Sequence, residues 1–366
     1  MEILTEGSFV SYMYPGINSP LKGIVISLNQ DEAYIHFPGQ DRRIDSWIKV
    51  GELKHIPKEI NSNFDKLASS KKKSHSESES EDIVSEKARM KHISRIYIGS
   101  HCISAWYFSP YPPFVYSFRS LYICDFCAQY FTNLNDLRQH HSLKHEMFPP
   151  GREIYRKDSL SVFEIKGRKQ KLFCQCLCLL GKLFIEHKAS YFDVNDFVFY
   201  VLCECDDNGA HIAAYYSREA NMTENILSCI VVLPPHQRKG YGSFLISLSY
   251  EIARRSQIVG GPERPLSDLG KAAYMSYWRE ASINAFQQYG MAIQTIDDLT
   301  SITGIAQPDL VESLSGTGVI FKGKRNSKPV INPDAITQLI HRPAQTHKKL
   351  VIDPQNLVWF KKKPYR

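Results

Sequence analysis

The run Ile226–Leu233 is short, apolar and β-branched, and it ends on Pro234 and Pro235. Gln237-Arg238-Lys239-Gly240-Tyr241-Gly242 follows, and then Phe244, Leu245, Leu248 and Ile252 recur at spacings of one, three and four. The first run reads as a buried strand and the last as a helix with one apolar face, so the unit is strand, glycine loop, helix. No other stretch restricts the fold as much. It asks for an α/β core in which the sheet hands the chain to a helix through a tight turn. Such a junction aims free backbone N–H groups and the positive end of the helix at one point, where an anion can sit. Glycines let a phosphate approach the backbone, and Arg238 and Lys239 add charge at that point. A surface turn closed by glycines has the same pattern, so the loop alone assigns no ligand.

A chain of 366 residues holds two or three domains, and 43% hydrophobic residues is ordinary for globular protein. The formal net charge of +7 points to an acidic partner, nucleic acid or chromatin first, although a merely basic protein has the same charge. Met1–Tyr12 carries acids and no apolar core, so no signal peptide is expected there. The longest apolar patch, Leu172–Ile185, is interrupted by Gln175, Gly181 and Lys182, too short and polar for a membrane span. Nine cysteines in such a chain suggest reduced thiols, a metal site or a nucleophile before a disulfide framework.

The chain divides by composition. Residues 1–60 hold alternating runs, Gly23–Leu28 and Ala33–Phe37, separated by turn residues; these predict hairpins and a small β-barrel. Tyr34, Phe37 and Trp47 could line an aromatic cage or fill a small core. Residues 61–90 form a charged linker, with Lys71–Lys73 followed by Ser74–Asp82; with almost nothing to bury, it is expected to be disordered. Residues 91–366 read as continuously globular. Within them Ile296–Ile305 and Pro308–Leu314 suggest two short helices around Gly304, a helix-turn-helix that serves equally as a packing module.

Two residues separate Cys124 from Cys127, twelve separate Cys127 from His140, and four separate His140 from His145. This is the spacing of a zinc finger, spanning residues 122–147, with two thiolates on a hairpin facing two imidazoles on a helix. His141 competes with His145 for the last position. A lone finger suits a structural zinc inside a larger fold better than a DNA reader. Cys174, Cys176 and Cys178 sit in leucine-rich surroundings at a spacing unsuited to a closed tetrahedral site and read as packing.

Several blocks together resemble the MYST histone acetyltransferases: Ala105–Pro112 (AWYFSPYP), the finger, Pro149–Arg156 (PPGREIYR), Ser161–Val194, Cys229–Gly242 (CIVVLPPHQRKGYG), Gly260–Gly270 (GGPERPLSDLG) and Ile352–Trp359 (IDPQNLVW). The likeness covers roughly residues 90–360, and residues 1–60 resemble the chromo-barrel that precedes the catalytic domain in one branch of the family. The resemblance implies an α/β fold with an N-acetyltransferase-like mixed sheet, a zinc finger, a C-terminal helix-turn-helix lobe and a preceding all-β chromo-barrel. It implies acetyl-CoA as co-substrate and structural zinc on Cys124, Cys127, His140 and His145. Gln237, Arg238, Lys239, Gly240, Tyr241, Gly242 and Ser243 match the pyrophosphate loop. Ile230, Val231 and Val232 match the wall of the thioester pocket, and Ser267 and Ser276 match further cofactor contacts. Glu263 matches the general base, Cys229 the active-site cysteine, and Lys188 the lysine that the family acetylates on itself. Histone tails in nucleosomes, subunits of an acetyltransferase complex, nucleic acid at the basic surface or barrel, and a nuclear setting follow as expectations, with no membrane. The alternative is a catalytically weak or inactive chromatin-binding scaffold or zinc-finger regulator. Three positions depart from the family pattern. Lys144 stands where the finger usually has its last cysteine, so His145 is expected to replace it; Gly261 and Arg264 stand where serine and lysine are usual.

Overall fold

A computed structural model describes residues 3–57, 78–143, 145–186, 192–221, 223–321, 330–340 and 350–360. The chain forms two compact units, one of residues 1–123, 130–142 and 178–189, the other of residues 124–129, 143–177 and 190–366.

The first unit begins with five antiparallel strands, β1 (Phe9–Tyr12), β2 (Leu21–Leu28), β3 (Glu32–His36), β4 (Ser46–Lys49) and β5 (Lys54–His55), ordered β4-β3-β2-β1-β5. Alternation decides the inside: Val10, Val25, Ala33, Ile35, Phe37 and Ile48 form one buried cluster. The aromatic trio thus resolves toward packing. Phe37 is in that core, Tyr34 is buried with its hydroxyl accepting the Lys91 N–H at 3.3 Å, and the Trp47 ring is covered by the Arg119 guanidinium at 4.1 Å.

The linker expectation needs correction over its second half. Residues 61–77 lie outside the described residues, but Ser78–Lys87 is a helix, α1. Its C-terminal end carries the reason: Glu86 pairs with Arg42, and Lys87 Nζ lies 2.6 Å from Glu6. A segment poor in apolar residues is held by ion pairs to the domain of the five-stranded sheet, a tertiary cause invisible to composition. Beyond it β6 (Arg95–Ile98), β7 (His101–Ser104), β8 (Ser120–Ile123) and β9 (Tyr130–Phe131) form a second sheet ordered β7-β6-β8-β9, followed by α2 (Leu134–Ser142).

The second unit is built on β10 (Arg152–Lys157), β11 (Leu160–Lys166), β12 (Phe197–Asp206), β13 (Gly209–Glu219) and β15 (Cys229–Val232), paired in that order. Between the last two, β14 (Asn225–Leu227) leaves to pair in parallel with β16 (Gly261–Pro262). The helix α3 (Lys171–Lys182) buries Cys174, Cys176 and Cys178, as packing requires. Helix α4 (Tyr241–Arg255) follows β15, and Phe244, Leu245, Leu248 and Ile252 are completely buried in the main core. Long helix α5 (Asp268–Tyr289) packs on α4, and Trp278 on α5 donates its indole N–H to Tyr250 at 2.7 Å. Short helices α6 (Ile296–Thr303) and α7 (Gln307–Leu314) meet at Gly304, whose φ of +71° closes the first of them. A hairpin of β17 (Ile320–Phe321) and β18 (Val330–Ile331) precedes α8 (Pro333–Ile340). The Ile352–Trp359 block is a strap over this core: the Ile352 N–H donates to Ser247 Oγ at 2.9 Å, Arg255 donates to the Leu357 carbonyl at 2.9 Å, and Trp359 donates to Glu164 at 2.5 Å.

Candidate functional site

Strand β15 delivers the chain to the glycine loop. Ile230 pairs with Tyr216, Val231 with Tyr215 and Val232 with Ala214, so Ile230 and Val232 share one face of the strand and Val231, buried, has the other. A turn over Pro234–His236 reverses direction, and Gln237 Nε2 donates back to the Val232 carbonyl at 3.0 Å. Arg238 has φ +65° and Gly240 φ +88°. A Cβ on Gly240 would stand 3.0 Å from that of Leu350, so this position needs glycine for both conformation and space. Gly240 is the N-cap of α4, and among the described residues no side chain caps the helix. Its first amides, at Tyr241, Gly242 and Ser243, are the kind of unpartnered donors that bind anions, and a Cβ on Gly242 would meet only Val232 at 3.9 Å, which leaves that side open.

The charges of this loop are arranged differently from the expectation. Lys239 does not stand free for an anion. Its Nζ lies 2.7 Å from Glu204 on β12, which also accepts from the Tyr241 hydroxyl at 2.6 Å and faces His236 Nδ1 at 3.0 Å. Burial pushes the Glu204 carboxyl up, but the bonds from Lys239, Tyr241 and His236 outweigh it and hold the carboxyl at about 2. Sequence reasoning missed Glu204. Its only local mark is a carboxylate between Cys203 and Cys205 near the end of an otherwise apolar strand.

Cys229 begins β15, half-buried, opposite Ser217. Glu263 comes from far along the chain. After β16 its backbone N–H donates to the Leu227 carbonyl at 2.9 Å, two residues before Cys229, while its side chain faces solvent. Gly260 makes that approach feasible, since a Cβ there would lie 2.1 Å from the Glu224 carbonyl. The neighbouring Arg264 donates to Asp309 at 2.6 Å and to Glu312 at 3.1 Å. Burial raises the Asp309 carboxyl, and Arg264 opposes that rise. Ser267 is the N-cap of α5 and accepts the Gly270 N–H at 3.1 Å; Ser276 is half-buried nine residues on along the same helix. The second unit therefore brings Cys229, Ile230–Val232, the glycine loop and the Glu263 loop into one framework of β14, β15, β16 and the start of α4. Lys188 lies outside the described residues.

The finger residues are placed in part by each unit. In the second, the Cys124 N–H donates to the Gln129 carbonyl at 2.9 Å and the Ala128 N–H to the Cys124 carbonyl at 2.9 Å, closing a tight turn around Cys124 and Cys127. A hydrogen bond between the two thiols raises the Cys124 thiol and lowers that of Cys127. His145 Nε2 is 4.0 Å from Cys124 Sγ, and its Nδ1 is 2.8 Å from the Glu146 carbonyl. An Nδ1–H donated to that carbonyl leaves the Nε2 lone pair facing the sulfur, the arrangement that orients histidine ligands. In the first unit His140 and His141 lie in the last turn of α2, and the His140 ring packs on Phe131 at 5.0 Å.

Comparison with known proteins points to one family. Residues 148–357 match the MOZ/SAS family, and residues 90–143 match the MYST family zinc finger domain. The chain is 40% identical to the histone acetyltransferase MOF of Drosophila melanogaster over 273 residues, 74% of this chain and 33% of that protein. It is 37% identical over 353 residues to histone acetyltransferase of the MYST family 1 of Arabidopsis thaliana, covering 90% of this chain and 78% of that one. With histone acetyltransferase mst1 of Schizosaccharomyces pombe it shares 43% identity over 241 residues, 65% and 52% of the two chains. On the strength of both matched segments and of a 37% identical relative covered over 78% of its length, the chain belongs to the MYST family of histone acetyltransferases.

Proposed function

We propose that the second unit transfers the acetyl group of acetyl-CoA to the side-chain amine of lysines in nucleosomal histone tails, with Glu263 as general base. A lysine amine has a pKa near 10.4, so at neutral pH it is an ammonium and no nucleophile. Glu263 takes one proton from it. The neutral Nζ then attacks the thioester carbonyl carbon, the C–S bond breaks, and the departing coenzyme thiolate takes up the second proton that the acylated nitrogen sheds. The observation that carries this reading is the hydrogen bond from the Glu263 N–H to the Leu227 carbonyl at 2.9 Å, which brings a solvent-facing carboxylate to the strand leading into Cys229. Cys229 is a wall of the site and amine attack is direct. The backbone N–H groups of Arg238–Ser243 hold the pyrophosphate at the head of α4, Gln237 fixes the loop, Ile230–Val232 line the thioester, and Ser267 and Ser276 contact the coenzyme from α5.

Zinc fits the finger: Cys124, Cys127 and His145 offer soft and borderline donors, His145 with its Nδ1 partner already in place, and the family resemblance assigns the fourth position to His140. Its part is structural. Lys188 is the site of self-acetylation. The setting is the nucleus, with complex subunits supplying recognition of the nucleosome.

The test is labelled acetyl transfer to core histones with wild type, Glu263→Gln and Cys229→Ala. The glutamine variant is expected to lose about 10²–10⁴-fold in kcat near pH 7 and to recover as pH rises and the amine deprotonates itself. The alanine variant retains most of the rate. Equal loss in both variants would replace direct attack with an acetyl-cysteine intermediate, and full activity of Glu263→Gln would remove the base.

A further inference from the structure

The helix pair α6–α7 has no part in the chemistry above, yet it grips the loop that bears the base. The Gly260 N–H donates to the Gly304 carbonyl at 3.0 Å, and the Ala306 N–H donates to the Gly260 carbonyl at 3.1 Å. On the other side, the Gly261 N–H donates to the Glu224 carbonyl at 2.9 Å and the Glu263 N–H to that of Leu227, also at 2.9 Å. Residues 260–263 are thus a short strand laced between β14 and the turn that joins the two helices.

Side chains lock the same segment. A Cβ on Gly261 would fall 2.2 Å from Asp309 Oδ2, so the Asp309 carboxylate rests directly on the loop backbone and would have to shift for any larger residue there. Asp309 is 4% exposed. Its other oxygen takes the Arg264 guanidinium at 2.6 Å, which reaches Glu312 Oε2 at 3.1 Å, and Glu312 Oε1 takes Lys271 of α5 at 2.9 Å. The chain Asp309–Arg264–Glu312–Lys271 ties α7 to the residue after Glu263 and to the helix that follows it.

We propose that α6–α7 is the brace of the catalytic loop, and that Asp309 and Arg264 are positioning residues that fix where the Glu263 carboxylate stands. The proposal rests on the reading of Glu263 as the base. Neither residue touches the reacting atoms; each acts through the loop. A general base works only within hydrogen-bond reach of its proton, and a displacement of about 1 Å can cost on the order of a hundredfold in rate. The helix-turn-helix legible in the sequence thereby has a task other than binding DNA.

The experiment compares wild type, Glu263→Gln, Asp309→Asn, their double variant, Arg264→Met and Arg264→Lys in acetyl transfer to histones. It reads kcat and the KM of each substrate from pH 6 to 10, with melting temperature and acetyl-CoA affinity as controls of folding. Asp309→Asn and Arg264→Met are expected to bind acetyl-CoA as wild type does and to lose about tenfold or more in kcat. The double variant is expected to be no slower than Glu263→Gln, because a base already absent cannot be misplaced. Arg264→Lys, which keeps the charge, recovers part of what Arg264→Met loses. If Asp309→Asn does not fold, Arg264, whose side chain is 48% exposed, decides the matter. A slow Glu263→Gln beside wild-type kcat in Arg264→Met, or losses that multiply in the double variant, overturns the brace alone. A wild-type rate in Glu263→Gln overturns the base and the brace together.

Discussion

Lys91 shows how much one buried ionisable side chain can decide. It is 7% exposed, its Nζ donates to the Arg43 carbonyl at 3.0 Å, and its backbone N–H meets Tyr34. Burial lowers its ammonium to about 8, against smaller opposing effects of Asp45 and Asp41. In the unfolded chain the same group titrates near 10.4, so between the two values the unfolded state binds more protons and folding gains stability as pH rises. Below about 8 the fold carries the full penalty of a desolvated cation. Lys91→Met is therefore expected to stabilise the protein near pH 7 by about 2 kcal/mol, the relief of the charge less roughly 1 for the lost hydrogen bond. The advantage shrinks above pH 8. Denaturant unfolding of both proteins at pH 7 and pH 9.5 measures it, and an equal difference at the two values would show that Lys91 is not desolvated in the fold.

At the scale of elements, the turn from β15 into α4 combines what the sequence displays with what it hides. The strand, the glycine loop and the buried face of α4 were legible because periodicity and glycine spacing are local. The partner that shapes the loop, Glu204, was not: it sits 35 residues before Lys239 and meets it only because β12 runs beside the loop. Asp309 was missed for the same reason, lying 45 residues beyond Arg264. Helix α1 escaped notice because its ion pairs to Arg42 and Glu6 are tertiary. In each case the residue type was unremarkable, and its meaning came from a contact between distant segments. Glu204 can be tested as a loop-shaping group. Glu204→Gln removes the charge that holds Lys239, Tyr241 and His236 together, so acetyl-CoA should meet a loop that must be ordered on binding. The expected result is a rise of about threefold to tenfold in the KM for acetyl-CoA, equivalent to roughly one charge-assisted hydrogen bond, with kcat little changed. An unaltered KM would mean that the glycines and the head of α4 order the loop without it.

Across the whole molecule the balance of 45 lysines and arginines against 38 acids leaves a formal charge of +7. That sign is informative because the proposed substrate segment, a histone tail, is itself basic. A cationic enzyme gains nothing from long-range attraction to a cationic peptide; the complementary surface on a nucleosome is its DNA. Two substrates carrying the same lysine should then respond oppositely to salt. With nucleosomes, neutralising about four phosphates would raise KM on the order of a hundredfold between 50 and 200 mM salt, through counterion release. With an isolated tail peptide, screening removes repulsion, and KM should fall slightly or stay level over the same range. The KM for acetyl-CoA, measured beside them, reports any general effect of salt on the site. A nucleosome KM as flat as that of the peptide would show that the excess charge meets no DNA in the encounter. Recognition would then rest on the tail and on the partner subunits, which leaves the basic surface to serve solubility alone.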